Sequence, residues 1–391
     1  MTKLEKLIQE FCPDGVEFRP LEQCCNILDR KRKPVTKSSR EAGKYPYYGA
    51  NGIQDYVSDY IFDGTFILVG EDGSVITDRG TPVVTWASGK IWVNNHAHII
   101  EGNGTVLLRF LYHYIQTIDV SPLIHGNIPK LTGGDFRALT IPVPPIEVQR
   151  EIVRILDTFT ELTAELTAEL TARKQQYAYY RNKLLTFNIP GGTSRTTWRK
   201  FGETCFLQAG KAINAENISK EKTPEYCIPC YGGNGLRGYV REANQQGDKP
   251  LIGRQGALCG NVCFAKGDYY ATEHAVVVTD QGFYNSRFLY HLLVNKNLNQ
   301  YKTSGAQPGL SVAKLETILL PVPEIEIQKR IADVLDNFDA ICSDLNIGLP
   351  AEIEARKKQY EFYRDQLLTF AAQDEIVLTD RQTDRQTDRR V

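Results

Sequence analysis

The chain has 391 residues, 42% of them hydrophobic, and a formal net charge of −1 from 46 Lys+Arg against 47 Asp+Glu. That length and composition supply two or more cores, no apolar run approaches a membrane span, and no global basicity advertises a nucleic-acid partner. Nine cysteines, odd in number and without a framework, fit a reducing cytoplasm and not a secreted disulfide scaffold.

In chain order, Leu4, Leu7, Ile8 and Phe11 predict a short amphipathic helix in a start (MTKLEKLIQEF) that lacks a signal peptide's apolar core. Residues 16–140 follow as short β-type runs cut by Gly, Pro and Asn: Ile61–Gly70, Pro82–Trp86, Ile91–Val93 and His98–Ile100, with a helix over Val106–Gln116. Within this half, Arg30, Lys31, Arg32, Lys33, Lys37 and Arg40 make one basic cluster.

A helical pattern opens after Ile141-Pro142-Val143-Pro144-Pro145, because the prolines forbid helix and favour extended backbone. Ile152, Ile155, Leu156, Phe159, Leu162, Leu166, Leu170, Tyr177, Leu184 and Leu185 then fall at three- and four-residue steps, predicting a rod of roughly 60 Å.

Residues 188–320 return to short strands and carry 15 Lys+Arg against 10 Asp+Glu. They repeat the first half's plan. Tyr48-Gly49-Ala50-Asn51-Gly52 answers to Tyr231-Gly232-Gly233-Asn234-Gly235, and Gly70-Glu71-Asp72-Gly73 to Gly253-Arg254-Gln255-Gly256, both 183 positions later. His96 answers to His274, which suggests a shared structural hydrogen bond. Trp86 with Phe264, and Trp92 with Tyr270, read as core.

The helical stretch also recurs. Pro142, Pro144, Glu147, Gln149, Ile152, Leu156, Asp157 and Phe159 return 179 positions later, and Arg173, Lys174, Tyr177, Tyr180, Arg181 and Phe187 return 183 later. The second copy therefore holds four extra residues, and its Gly348 and Pro350 predict a break or kink. Two rods with one apolar stripe each bury them as an antiparallel pair. The predicted organisation is 1–140, a β-rich head; 141–187, a helical spacer; 188–320, a second head; 321–370, a second spacer; and 371–391, a disordered low-complexity tail.

Together these residues resemble the specificity subunit of type I restriction-modification enzymes. The resemblance rests on Gly126…Pro129…Leu131 before the first Pro-x-Pro turn, Gly305-x-Gln307-Pro308 before the second, and the Gln149/Gln328 registers. The TAEL tetrapeptides Thr163–Leu166 and Thr167–Leu170, followed by RKQQYAYYRNKLL, resemble the type IC branch. The resemblance implies an α+β fold with two β-rich target-recognition domains, joined by two long antiparallel helices as a pseudo-twofold duplication. It also implies a cytoplasmic, non-catalytic, cofactor-free subunit that binds a bipartite DNA target, one half-site per domain. Two modification (methyltransferase) subunits, and through them ATP-dependent restriction subunits, are the implied protein partners. The sequence has no G-x-x-x-x-G-K-[ST] loop and no N-P-P-F or D-P-P-Y box. The alternative is a two-headed coiled-coil adaptor for protein or glycan.

Base readers are expected where the heads diverge. Glu71 and Asp72 suit a cytosine amino group, Arg254 suits guanine and Gln255 suits adenine; Asn51, Asn127, Asn234, Thr303, Ser304 and Gln307 sit in equivalent polar turns. Lys31, Lys33, Lys37, Lys130, Arg237 and Lys302 are candidate phosphate contacts. Cys227-x-x-Cys230 with Cys259-x-x-x-Cys263 approaches zinc spacing, but Cys230 stands where the first half has Tyr47, so small buried cysteines are the better reading.

Overall fold

The computed structural model describes residues 2–73, 75–126, 128–187, 196–256, 258–303 and 308–370. The chain forms two compact units, one of Met1–Glu165 with the stretch from Ile353 onward, the other of Leu166–Glu352. Each unit therefore takes its helical parts from both repeats of the spacer.

In the first unit, Thr2 and Glu5 form a reciprocal capping box that starts the helix Lys3–Phe11. The main sheet has six strands in the order Cys25–Ile27, Ala97–Gly102, Phe62–Gly70, Val84–Val93, Ala42–Gly49, Gly52–Val57. All neighbours are antiparallel except Ala42–Gly49 with Val84–Val93. The central strand buries both faces. Ile67 and Val69 enter the core beneath the helices, while Phe66 and Leu68 enter a second cluster on the opposite face, as a two-residue period requires. The two β-runs expected at 82–86 and 91–93 are one strand, Val84–Val93. Eight pairs with Phe62–Gly70 carry the ladder across the polar Ser88-Gly89-Lys90, where Gly89 takes a φ of +79°. The helix expected at 106–116 is Leu108–Ile115.

The second unit repeats this plan, with the counterparts of Phe62–Gly70 and Val84–Val93 each divided in two. Cys205–Ala209, Ala275–Asp280, Lys249–Gly253 and Val262–Ala265 form one sheet, and Gly235–Val240, Ile228–Gly232, Asp268–Ala271 and Gln245–Gln246 another. The first head's long strand is here split into Val262–Ala265 and Asp268–Ala271 at Gly267, φ +63°. The parallel pair survives, with Cys230 opposite Tyr270 as Tyr47 is opposite Trp92.

The first spacer is one uninterrupted helix, Ile146–Leu185. The second is two, Ile325–Ser343 and Leu349–Leu367. The break falls where expected: a Cβ at Gly348 would lie 2.6 Å from the Ala340 carbonyl oxygen and 2.7 Å from that of Asp344. In the first unit Phe159 stacks on Tyr363, at 5.2 Å; in the second, Tyr177 and Tyr180 stack on Phe338, at 6.3 and 5.7 Å. The start of one spacer thus meets the end of the other, twice.

The repeated spacer residues fasten each head. Gln149 Nε2 donates to the Pro144 carbonyl at 2.7 Å, and its Oε1 accepts from Leu107 N at 2.9 Å, at the start of the head's helix. Gln328 does the same with Pro323 (2.8 Å) and Asn285 N (2.8 Å). Asp157 accepts from Arg109 (2.7 Å) and pairs with His113 Nε2 (2.9 Å), whose Nδ1 faces the Tyr360 hydroxyl at 2.8 Å. Asp336, Arg287, His291 and Tyr177 rebuild this clasp in the second unit. Trp86 and Phe264, expected in the core, are half-buried platforms for Arg109 (4.8 Å) and Arg287 (4.5 Å). Trp92 and Tyr270 are also half-buried, donating to the carbonyls of Lys33 (2.7 Å) and Ala212 (3.1 Å), because each ring has a polar atom to satisfy.

Candidate nucleic-acid interface

In each unit the divergent turns converge on one open cleft. In the second it measures about 830 Å³ and is lined by Gly232–Arg237, Gln255, Gly256, Leu258, His274, Pro308 and Gly309. In the first it measures about 410 Å³ and is lined by Ala50, Asn51, Gln54, Asp72, Gly73, His96 and Ile128.

The backbone frames of the two clefts match bond for bond. Glu71 N donates to the His96 carbonyl and Arg254 N to that of His274, both at 2.9 Å. Gly73 N donates to Pro129 O (3.0 Å) and Gly256 N to Pro308 O (3.1 Å); Leu131 N donates to Glu71 O (2.9 Å) and Leu310 N to Arg254 O (2.8 Å). Asp72 bridges Lys130 as Gln255 bridges Gly309. Glycine is obligatory where the turns touch, since a Cβ on Gly253 would lie 1.8 Å from the Gly233 carbonyl oxygen. The frame is fixed and the side chains on it differ.

Those side chains do not all stand free. Glu71 accepts from Arg32 at 2.6 Å and pairs with Lys130 at 3.2 Å, so its carboxylate is held within the head instead of facing outward as a cytosine reader. Asp72 is paired with His96. His274 sits 3.2 Å from Glu273 instead, so the two histidines share the structural hydrogen bond expected of them through their carbonyls, while their side chains take different partners. Behind Glu71, the fully buried His98 bonds Asp29 at 2.6 Å and the Leu131 carbonyl at 3.0 Å and stacks on Phe136. Burial pushes the Asp29 carboxyl upward, but hydrogen bonds from His98 and Ile99 N, with the charge of Arg32, outweigh it and leave the pKa lowered.

Among the described residues, Asp29, Glu71 and His98 are the one group of three with metal-ligand atoms in reach of one another. Arg32 and Lys130 already neutralise its carboxylates, so its chemistry is that of an ion-pair network. The cysteines form no such group: Cys227 is exposed, Cys230 and Cys259 are buried and Cys263 is half-buried.

Of the other expected contacts, Asn51, Asn234, Arg237 and Gln255 are exposed and line the clefts. Lys302 and Thr303 are exposed beside the second, where Gly309 N donates to Thr303 Oγ1 at 3.0 Å. Lys31, Lys33 and Lys37 are exposed on the loop after Cys25–Ile27 and line neither cleft. Asn127, Ser304, Gln307 and the tail 371–391 lie outside the described residues. Sequence reasoning missed the apolar rim of Ile128, Leu236 and Leu258, exposed by 69%, 54% and 58%. Leu236 had a signal, because Ile53 recurs there 183 positions earlier, after the same turn glycine.

The two duplicated clefts share one backbone frame and carry two sets of polar side chains. The type I restriction modification DNA specificity domain matches the chain twice, over residues 13–173 and 196–355. The chain belongs to this family. It is 50% identical to the specificity subunit of the type I restriction enzyme EcoprrI of Escherichia coli, over 88% of this chain and 92% of that one. It is 34% identical to a putative type I restriction enzyme specificity subunit of Haemophilus influenzae, over 95% and 99%. Its fold is similar to the crystal structure of the S subunit of a type I restriction-modification system from M. genitalium, with a TM-score of 0.61, 17% identity, and coverage of 90% of this chain and 96% of that one. Within the type I specificity family, then, the first match runs into the helix Ile146–Leu185 and the second covers Ile325–Ser343 and the start of Leu349–Leu367. No helix among the described residues is long and apolar enough to cross a membrane.

Proposed function

We propose that this chain is the non-catalytic DNA-specificity subunit of a type I restriction-modification complex. Each head, residues 1–140 and 188–320, reads one half of a bipartite duplex target. The spacers, 141–187 and 321–370, set the gap and dock two modification subunits, and through them the restriction subunits. The chain works in the cytoplasm and needs no cofactor of its own. The observation that carries this reading is the pair of clefts: the same hydrogen bonds hold Glu71-Asp72 in one and Arg254-Gln255 in the other. Constant frame with variable polar tips is how a duplicated scaffold reads two different base sequences. Exposed Lys31, Lys33, Lys37 and Lys302 supply sequence-independent phosphate contacts.

The test is selection from a pool of randomised duplexes by the chain assembled with its modification subunits. A split motif with a fixed gap is the expected outcome. A contiguous motif would remove the two-headed reading, and no enrichment at all would favour a protein- or glycan-binding adaptor.

A further inference from the structure

Position by position, the backbone frames beside the two clefts exchange a charge. In the first head the turn residue just before the bridge is Glu71 and the loop residue at the bridge is Lys130, whose Nζ lies 3.2 Å from the Glu71 carboxylate. In the second head the turn residue is Arg254, and the loop residue, in the place of Lys130, is Gly309. The groups behind Glu71 change with it. By chain register Asp29, Arg32 and His98 correspond to Ala209, Ala212 and Val276, none of which carries a charge. A cation therefore stands at the bridge in both heads, delivered from the loop in one and from the turn in the other.

The two cations differ in readiness. Lys130 is half-exposed and already has a carboxylate. Arg254 is half-buried, its Nε is buried with no hydrogen-bond partner, and no carboxylate pairs with it among the described residues. A buried guanidinium nitrogen without an acceptor is costly unless something supplies one. Glu273 Oε2 and His274 Nδ1, flanking the same turn, are buried and unpartnered too. Arginine's planar fork matches the two acceptors on the major-groove edge of guanine, whereas a lysine acts as a point charge.

Resting on the reading of the heads as DNA-binding modules, we propose that this bridge is a specificity-determining position. Lys130 and Arg254 are equivalent cations placed from opposite strands of the bridge, and this exchange makes the two half-sites differ at one base position. Arg254 takes a guanine edge, its fork meeting both acceptors. Lys130, steered by Glu71, makes a single-point contact.

The exchange can be built in the second head. Gly309 lies outside the left-handed region, and among the described residues a Cβ there would meet the Arg254 carbonyl oxygen at 3.6 Å and Thr303 Oγ1 at 3.9 Å, both ordinary contacts. The backbone there accepts a side chain. Duplex selection would be run on the complete chain with its modification subunits, as wild type, Arg254→Glu and Arg254→Glu/Gly309→Lys. The single variant should lose affinity for the wild-type target by roughly 10–100-fold. The double variant should recover binding and select a different base at one position of the second half-site, with the first half-site unchanged throughout. Two results would overturn the proposal: a single variant that still selects the wild-type second half-site, or a double variant that binds no better than the single. If wild type itself selects no split motif, the underlying functional reading fails instead.

Discussion

Asp157 and Asp336 show what a repeated polar residue does in a spacer that otherwise reads as an apolar stripe. Each carboxylate gathers an arginine and a fully buried histidine from its head, and the histidine passes the connection to a tyrosine of the other spacer. Burial, opposed by the hydrogen bond to Asp157, leaves the His113 pKa lowered, with Arg109 and Arg364 adding to the effect; His291 is lowered in the same way beside Asp336 and Arg287. A histidine with a depressed folded pKa stays neutral in the native state while the unfolded chain binds the proton. Its contribution to stability is therefore present above about pH 6.5 and falls as the pH drops below that value. The carboxylates, whose pKa values are lowered, add a second loss as the pH falls through the usual carboxylate range. The melting temperature should fall between pH 7 and pH 5.5, and His113→Gln/His291→Gln should flatten that slope. An identical slope in the variant would show that the clasps do not couple to protonation.

At the scale of elements, the continuity of Ile146–Leu185 is the mechanical fact. Its middle is the tandem TAEL segment, free of Gly and Pro and built from good helix formers. One further TAEL copy after Leu170 would lengthen the rod by roughly 6 Å and turn it by about 40°. Tyr177, Leu184 and Leu185, which pack into the second unit's core, would move with that unit. The gap between half-sites should change by one or more base pairs of about 3.4 Å each, with both half-sites intact. Duplex selection with the insertion variant measures it; an unchanged gap at full activity would strip this segment of its ruler role. The broken spacer is different. Asp344 O accepts from Gly348 N (3.1 Å) and Asp344 Oδ1 accepts from Asn346 N (2.7 Å), so the four extra residues are absorbed in a turn instead of lengthening a helix.

For the whole molecule, duplication has a consequence for independence. Each unit has its own principal core, one built around Ile67, Phe110, Ile152 and Leu368, the other around Ile252, Phe288, Leu335 and Leu185. Among the described residues the two clefts have no lining residue in common. Replacing residues 193–320 with the second head of another family member should change one half of the selected target and leave the other, provided Gln328, Asp336 and Tyr177 keep partners equivalent to Asn285, Arg287 and His291. Methylation mapping in a host that carries the swapped chain and its partner subunits reads this directly. Concerted change of both halves would contradict separate readout.

The sequence by itself determined the duplication, the Pro-x-Pro turns, the unbroken first helix and the break at Gly348. All of these are local: glycine and proline set backbone freedom within a residue or two, and apolar periodicity declares a helix without reference to anything outside it. It also pointed to the glycine turns that frame the clefts. Three things were decided only by the tertiary structure. Val84–Val93 is one strand because its partner's ladder crosses a polar interruption that local pattern reads as a turn. Glu71 is held inside its head because Arg32, 39 positions earlier, and Lys130, 59 later, reach it across the fold. Trp86, packed against the first core, also carries a platform, and Trp92 is an anchor, because an arginine and a backbone carbonyl arrive there from other elements. Which side chains of a polar turn remain free for a ligand depends on what the rest of the chain brings to that turn, and that information is not local.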